Sequence, residues 1–194
     1  MNDLFDALPN DVPSRLHERL VAAADQQGLL DIAYRTVDSP VGSLLLAATP
    51  QGLLRVVYPA AGHDATLAVL AEKVSPRILR APARLDPVAR QLDEYFGGRR
   101  RAFDVPLDLR LAGGFRRAVL DHLAEIDYGR TESYAQVAAA AGSPRAVRAV
   151  GTACAMNPVP VVLPCHRVVR SDGSFGGYAG GPDAKRTLLE LEAA

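Results

Sequence analysis

The sequence predicts an α/β chain of two domains, and three observations carry that reading. Short apolar runs separated by turn residues fill the first half. Apolar spacings of three and four residues dominate the second half. The pattern changes near residues 107–114. A length of 194 residues suits one large domain or two small ones. The expected division is a helical extension over 1–30, an α/β domain over 31–108 and a C-terminal domain over 109–194.

Taken in order, Asn10-Asp11-Val12-Pro13-Ser14 is a turn and helix-start cluster. Leu16, Leu20 and Val21 follow at helical spacing. Three apolar runs come next, over residues 32–37, 44–48 and 53–58. Ser39-Pro40-Val41-Gly42 and Thr49-Pro50-Gln51-Gly52 separate them, which reads as a β-meander. Residues 64–74 and 87–96 have helical periodicity, and Gly97-Gly98 stops the second. The Arg99-Arg100-Arg101 run reads as an exposed turn, and 102–107 as one further strand.

Beyond the boundary, Phe115, Val119, His122, Leu123 and Ile126 line one face of a helix that ends near Tyr128-Gly129. Ser133 caps a helix over 134–141, which Gly142 stops. Ser143 caps the next, with Pro144 at its first position, and that helix runs to about Met156. Residues 185–192 make a final helix. A helix, a tight glycine turn and a second helix outline a helix-turn-helix. At 100° per residue, Ala146, Val150, Ala153 and Cys154 fall on the core side of the second helix. Arg148, Gly151, Thr152 and Ala155 fall on the other. Small residues let a helix lie close against a surface, and one long arginine can reach into it. The bland alternative is an ordinary solvent face.

Charge supports the docking reading without proving it. The chain is neutral overall, but residues 130–186 hold seven basic and three acidic side chains, a local net of +4. One basic face on a neutral protein suits one anionic partner, although a solvated arginine-rich surface would look the same. No apolar run approaches the roughly 20 residues of a membrane helix. The acidic N-terminus lacks the pattern of a signal peptide. Cys154 and Cys165 make no disulfide framework, so the expected compartment is the reducing cytoplasm. His17, His63, His122 and His166 form no zinc spacing with the cysteines, so no metal is expected.

The chemistry-bearing segment is Asn157-Pro158-Val159-Pro160-Val161-Val162-Leu163-Pro164-Cys165-His166. Three prolines fix the backbone on the approach to Cys165. Residues 161–163 and 168–169 read as buried strands. A neighbouring base lowers the cost of forming a nucleophilic thiolate. Adjacent residues on a strand point to opposite faces, so His166 would need a turn or a bridging water to serve Cys165. An inert buried cysteine is the common alternative, and spacing leaves both open. Gly176-Gly177-Tyr178-Ala179-Gly180-Gly181 lacks the Lys-Ser/Thr of a phosphate-binding loop. It reads as a flexible loop whose backbone can approach a ligand.

Asn157-Pro158-Val159-Pro160 through Pro164-Cys165-His166-Arg167-Val168-Val169, followed by Gly176-Gly177-Tyr178, resembles the O6-alkylguanine-DNA alkyltransferases, the methylated-DNA–protein-cysteine methyltransferases. The likeness extends over about 115–192, with Ser133-Tyr134, Pro144 and Arg148-Ala149-Val150-Gly151 in order. It implies a ribonuclease-H-like N-terminal domain and a winged-helix-like C-terminal domain. Cys165 would accept a methyl or larger alkyl group, once, from O6 of guanine in double-stranded DNA, and from O4 of thymine as a further substrate. His166 would be its base through a water, oriented by Glu192, and Asn157 would brace the turn. Arg148 would fill the gap left by a flipped nucleotide, with Ala149, Gly151, Thr152 and Ala155 entering the minor groove. Tyr134 would crowd the 3′ phosphate and protonate N3 of the leaving guanine. The Cys165 and Val168 carbonyls would accept from the guanine amino group. Tyr178, Ala179 and Gly180 would complete the base pocket. The resemblance implies no cofactor and a monomer.

Three departures stand out. Ala179 occupies a position where some relatives carry serine, and Pro182 one where a branched apolar residue is common. The first 30 residues exceed the minimal family pattern. The competing readings are a helix-turn-helix regulator with Cys165 as core, a non-catalytic alkylguanine-binding protein, and a cysteine hydrolase.

Overall fold

The computed structural model describes residues 12–193. Helix α1 (Val12–Gln26) precedes three strands, β1 (Ile32–Val37), β2 (Leu44–Thr49) and β3 (Gly52–Val57). Helix α2 (His63–Lys73), strand β4 (Ile78–Arg80) and helix α3 (Asp86–Phe96) complete the first half. The sheet order is β3-β2-β1-β4, antiparallel except for the parallel β1–β4 pair. The meander forms because turn residues return each run beside its predecessor. Strand β4 escapes sequence reading because it has three residues between Pro76 and Pro82, too few to show a period.

The second half holds α4 (Gly114–Leu123), α5 (Tyr134–Ala140), α6 (Val147–Ala155) and α7 (Gly181–Ala193). Two short strands, β5 (Glu132–Ser133) and β6 (Val168–Val169), pair in parallel and tie the start of α5 to the segment after Cys165. One buried cluster runs from Leu44, Leu46 and Leu53 through Leu120 and Val150 to Leu188, so the two halves share a core. Ile32, Ala47, Leu54 and Leu70 form a smaller cluster beneath α2.

Several expectations need correction. The turn at Asn10-Asp11 lies outside the described residues. In α1, Leu16 and Leu20 are exposed, while Val21 and Ala24 pack on the core. Residues 102–107 are not a regular strand. Pro106 has no N–H to give a ladder, and the Gln91 side chain takes both backbone groups of Asp104, at 2.8 Å each. Only Leu107 bridges, to Leu53. The α4 helix stops at Leu123, although Ile126 beyond it is still buried. Ser143 does cap the Ala138 carbonyl's helix end through its N–H, but it does not start α6. A turn closes from Ala146 N–H to Ser143 O at 2.8 Å, and α6 begins at Val147 with Ala146 as its N-cap. Pro144 therefore sits in the turn rather than in the first helical turn. Residues 161–163 are buried but form no strand. A bridge between Pro160 and Leu163 closes them into a tight turn instead.

Candidate active site and nucleic-acid interface

The turn before Cys165 is organised by Asn157. The Asn157 Oδ1 accepts from Val159 N–H at 3.1 Å. Its Nδ2 donates to Leu163 O at 2.8 Å and lies 3.1 Å from Cys165 Sγ. Within the turn, Val161 has φ +74°, a left-handed conformation that β-branched residues rarely adopt. Such a residue costs on the order of 1–3 kcal/mol and persists only where its surroundings over-determine it. The Leu163 N–H to Val159 O bond at 2.9 Å and the Asn157 contacts are those surroundings.

Residues Cys165–Arg167 form a short 3-10 turn. That geometry, not a strand, sets Cys165 and His166, so strand alternation does not separate them. Burial pushes the Cys165 thiol up to about 11, while the Asn157 hydrogen bond and the Lys185 charge pull the other way. The resting group is a thiol. No direct hydrogen bond joins it to His166.

His166 is fully buried and points its Nε2 at Glu192 Oε1, 2.8 Å away. Burial depresses its basicity and the Glu192 carboxylate partly restores it. The neutral ring therefore carries its proton on Nε2, toward the carboxylate. Its Nδ1 is buried and has no hydrogen-bond partner, which leaves a lone pair free to take a proton.

Glu192 is saturated with donors. Arg167 grips it in a fork, Nε to Oε2 at 2.8 Å and Nη2 to Oε1 at 2.9 Å. The Tyr95 hydroxyl donates to Oε1 at 2.6 Å and Gly129 N–H to Oε2 at 3.3 Å. Burial opposes the charge, but the hydrogen bonds from His166, Arg167 and Tyr95 outweigh it and hold the carboxyl at about 2. Glu192 thus stays ionised and orients the imidazole. Gly129 has φ +72°, and a Cβ there would lie 2.8 Å from the Glu192 carbonyl, so glycine is required.

Lys185 is fully buried, and its Nζ donates to Val168 O at 2.6 Å. Burial lowers its affinity for a proton, while the nearby Cys165 and Cys154 raise it. Val168 O therefore has one lone pair engaged. The Cys165 carbonyl accepts from Val168 N–H, so each of these acceptors has one lone pair left.

Tyr134 begins α5, whose Ser133 N-cap forms a full capping box with Gln136. Gly176 lets the loop close on it, because a Cβ there would lie 2.1 Å from the Tyr134 hydroxyl. Burial, then Cys154 and Cys165, raise the Tyr134 hydroxyl above its usual range, so it stays protonated. The Tyr178 hydroxyl bonds the Tyr58 hydroxyl at 2.9 Å, and its ring stands edge-on to His166 at 6.2 Å. On α6, Arg148, Ala149, Thr152 and Ala155 are exposed and Gly151 is half-buried, whereas Val150, Ala153 and Cys154 are buried. Ala179 is exposed and Gly180 half-buried beside Tyr178.

The structure thus gathers Cys165, Asn157, His166, Glu192, Val168, Tyr134 and Tyr178 around one centre. It sets Arg148 and its neighbours on a separate outer face. Sequence reasoning missed Tyr58, Tyr95, Arg167 and Lys185 as supporting residues. Tyr58 and Tyr95 belong to the other half of the chain, 120 and 97 positions from their partners. The N-terminal sheet also reaches the turn directly, since Val56 N–H donates to Pro158 O at 2.9 Å. Arg167 was legible as part of the Pro-Cys-His-Arg motif and of the basic window, but not as the partner of Glu192.

Fold and site together define a class: a two-domain α/β protein that couples a helix-turn-helix to a buried cysteine backed by a histidine–carboxylate pair. Residues 32–109 match the ribonuclease-like domain of 6-O-methylguanine DNA methyltransferase, and residues 114–194 match its DNA-binding domain. A methylated-DNA–protein-cysteine methyltransferase of Mycolicibacterium paratuberculosis is 40% identical over 161 residues, covering 83% of this chain and 92% of the relative. The constitutive enzyme of that name from Bacillus subtilis is 36% identical, covering 82% and 94%. The Mycobacterium tuberculosis protein solved in complex with DNA superposes with a TM-score of 0.71 at 38% identity, covering 83% and 92%. The chain belongs to the O6-methylguanine-DNA methyltransferase family. Among the described residues, no helix is long and apolar enough to cross a membrane.

Proposed function

We propose that this chain repairs double-stranded DNA directly, moving the alkyl group from O6 of guanine to Cys165 Sγ, once per molecule. The observation that carries the assignment of roles is the unpartnered Nδ1 of His166, set one residue from a thiol that Asn157 holds. His166 takes the Cys165 proton through a water at Nδ1, and ionised Glu192 stabilises the imidazolium that forms. The thiolate attacks the alkyl carbon in line with the bond to O6. A C–S bond forms, the C–O bond breaks, and its electron pair leaves on the guanine. The Tyr134 hydroxyl supplies the proton that neutralises the base at N3 and regains one through solvent, balanced by the thiol proton that His166 took up and then releases. The product is a thioether, which no group at the site cleaves.

Access to the base requires flipping, because the alkyl group is out of reach inside the stack. The small face of Gly151, Thr152 and Ala155 suits close entry to a minor groove about 6 Å wide, and Arg148 occupies the vacated position. Tyr178, Ala179 and Gly180 border the flipped base, and the free lone pairs of the Cys165 and Val168 carbonyls receive its amino group.

Intact-mass measurement after incubation with a duplex carrying O6-methylguanine tests the reading. The expected result is one added methyl per chain, mapped to Cys165 and absent from Cys165→Ser. An unchanged mass, or turnover of many substrate molecules per chain, would overturn it.

A further inference from the structure

A cleft of about 310 Å3 lies between the two halves beside the candidate site. Arg55 and Tyr58 stand on its N-terminal side, and Ala155, Pro160 and Ala179 on its C-terminal side. Arg55 sits within β3, opposite Ala47. Its Nε is buried without a hydrogen-bond partner. No carboxylate among the described residues pairs with its guanidinium. The charge acting on it is another cation, Arg116 of α4. Arg116 donates to the Leu111 carbonyl and lies 4.0 Å from Met156 Sδ, so it flanks the C-terminal end of α6.

Two cations share a half-buried place with no counter-anion. Burial first, and Arg116 second, push the Arg55 guanidinium below its usual range. Such an arrangement is unfavourable in the isolated protein and is relieved when an anion arrives. The position says which anion. Ala155 is exposed on the same face of α6 as Arg148, seven residues or about two turns away. A nine-residue helix is roughly 13 Å long, long enough to cross a minor groove about 6 Å wide and reach its phosphate walls at both ends. The C-terminal end of a helix carries partial negative charge, so a phosphate passing there needs cations beside it. Arg55 and Arg116 are the cations at that end.

We infer that Arg55, backed by Arg116, is a phosphate site for the DNA strand running past the C-terminal end of α6, which makes the N-terminal domain part of the duplex interface. This rests on the repair reading above. Duplex affinity measured against salt concentration counts the phosphates neutralised. Arg55→Gln should reduce the magnitude of that slope by about one and weaken binding several-fold at low salt, while Arg55→Lys keeps the parent slope. Methyl transfer from the free O6-methylguanine base, which has no phosphate, should stay within about twofold of the parent rate in Arg55→Gln. An unchanged slope in Arg55→Gln overturns the assignment. So does an equal fall on duplex and free base, which would move Arg55 into the chemistry. Saturable binding of inorganic phosphate alone, abolished in Arg55→Gln, also overturns it, because the cleft would then serve a free anion. Failure of the unsubstituted chain to accept a methyl group would sink the underlying repair reading and is read separately, from intact mass.

Discussion

Cys165 is caught between two opposing influences. Burial holds it as a thiol near 11, while Asn157 and the buried Lys185 ammonium favour the thiolate. Replacing Lys185 with methionine keeps a long apolar stem and deletes the charge. Single-turnover transfer by Lys185→Met should fall about tenfold or more at neutral pH, since each tenfold corresponds to about 1.4 kcal/mol lost from thiolate support. The loss should shrink as pH rises, and a deficit equal at every pH would show that Lys185 only fills space. Acid sensitivity follows from its neighbours. Glu192 is held at about 2 against an ordinary value of 4.5, and His166 is depressed below 6.5. Both groups bind protons more readily when the chain is unfolded. Their contribution to stability is complete above about 6.5, declines first as unfolded histidine protonates, and drops further from about 4.5 toward 2. Chemical denaturation at stepped pH should show that decline, and Glu192→Gln should flatten its lower portion.

Helix α6 is an element whose inner and outer faces answer to different demands. A Cβ at Gly151 would meet nothing within 4 Å. Gly151→Leu should therefore fold well, and helix propensity alone adds up to about 1 kcal/mol of stability. Its side chain would nonetheless stand on the face proposed to dock on DNA. The expected outcome is a higher melting temperature together with weaker duplex binding, and unimpaired duplex affinity would remove the close-approach role. Arg148→Ala should slow transfer on duplex DNA far more than from the free base, as paired single-turnover rates would show. The inner and outer faces of α6 were legible in the sequence because a period of 3.6 displays them side by side. Its start was not, because Ser143-Pro144 reads equally as a cap or as the turn that the structure shows. The 161–163 run misled for a related reason: β-branched residues signal burial and strand alike, and the turn is revealed by the Pro160–Leu163 bridge, the Leu163 N–H to Val159 O bond and the Asn157 contacts. The Cys-His-Arg motif itself needed no periodicity to be seen.

Across the whole molecule, the candidate site is assembled from both halves. Tyr95 and Tyr58 come from the N-terminal half, and Val56 pins the turn that carries Pro158. Partners some 100 positions apart leave no local trace, which is why the local Pro-Cys-His-Arg motif singled out Cys165 through its family resemblance, while its distant supports went unseen. That assembly has a consequence for the protein after it has reacted. Cys165 is 2% exposed and its sulfur sits 3.1 Å from Asn157 Nδ2. A methyl group on that sulfur must find room in a packed interior and weakens the acceptor that Asn157 uses. Overfilling a core costs about 1–3 kcal/mol, or roughly 2–12 °C in melting temperature for a chain of this size. Scanning calorimetry of the methylated and unmethylated protein should show the modified form melting lower. An equal or higher melting temperature would mean that the turn absorbs the methyl without strain. The bond that Asn157 makes to the Cys165 sulfur would thus become a gauge of its use: on the lower melting expected here, a spent molecule is told from a fresh one by its own fragility, before any partner inspects it.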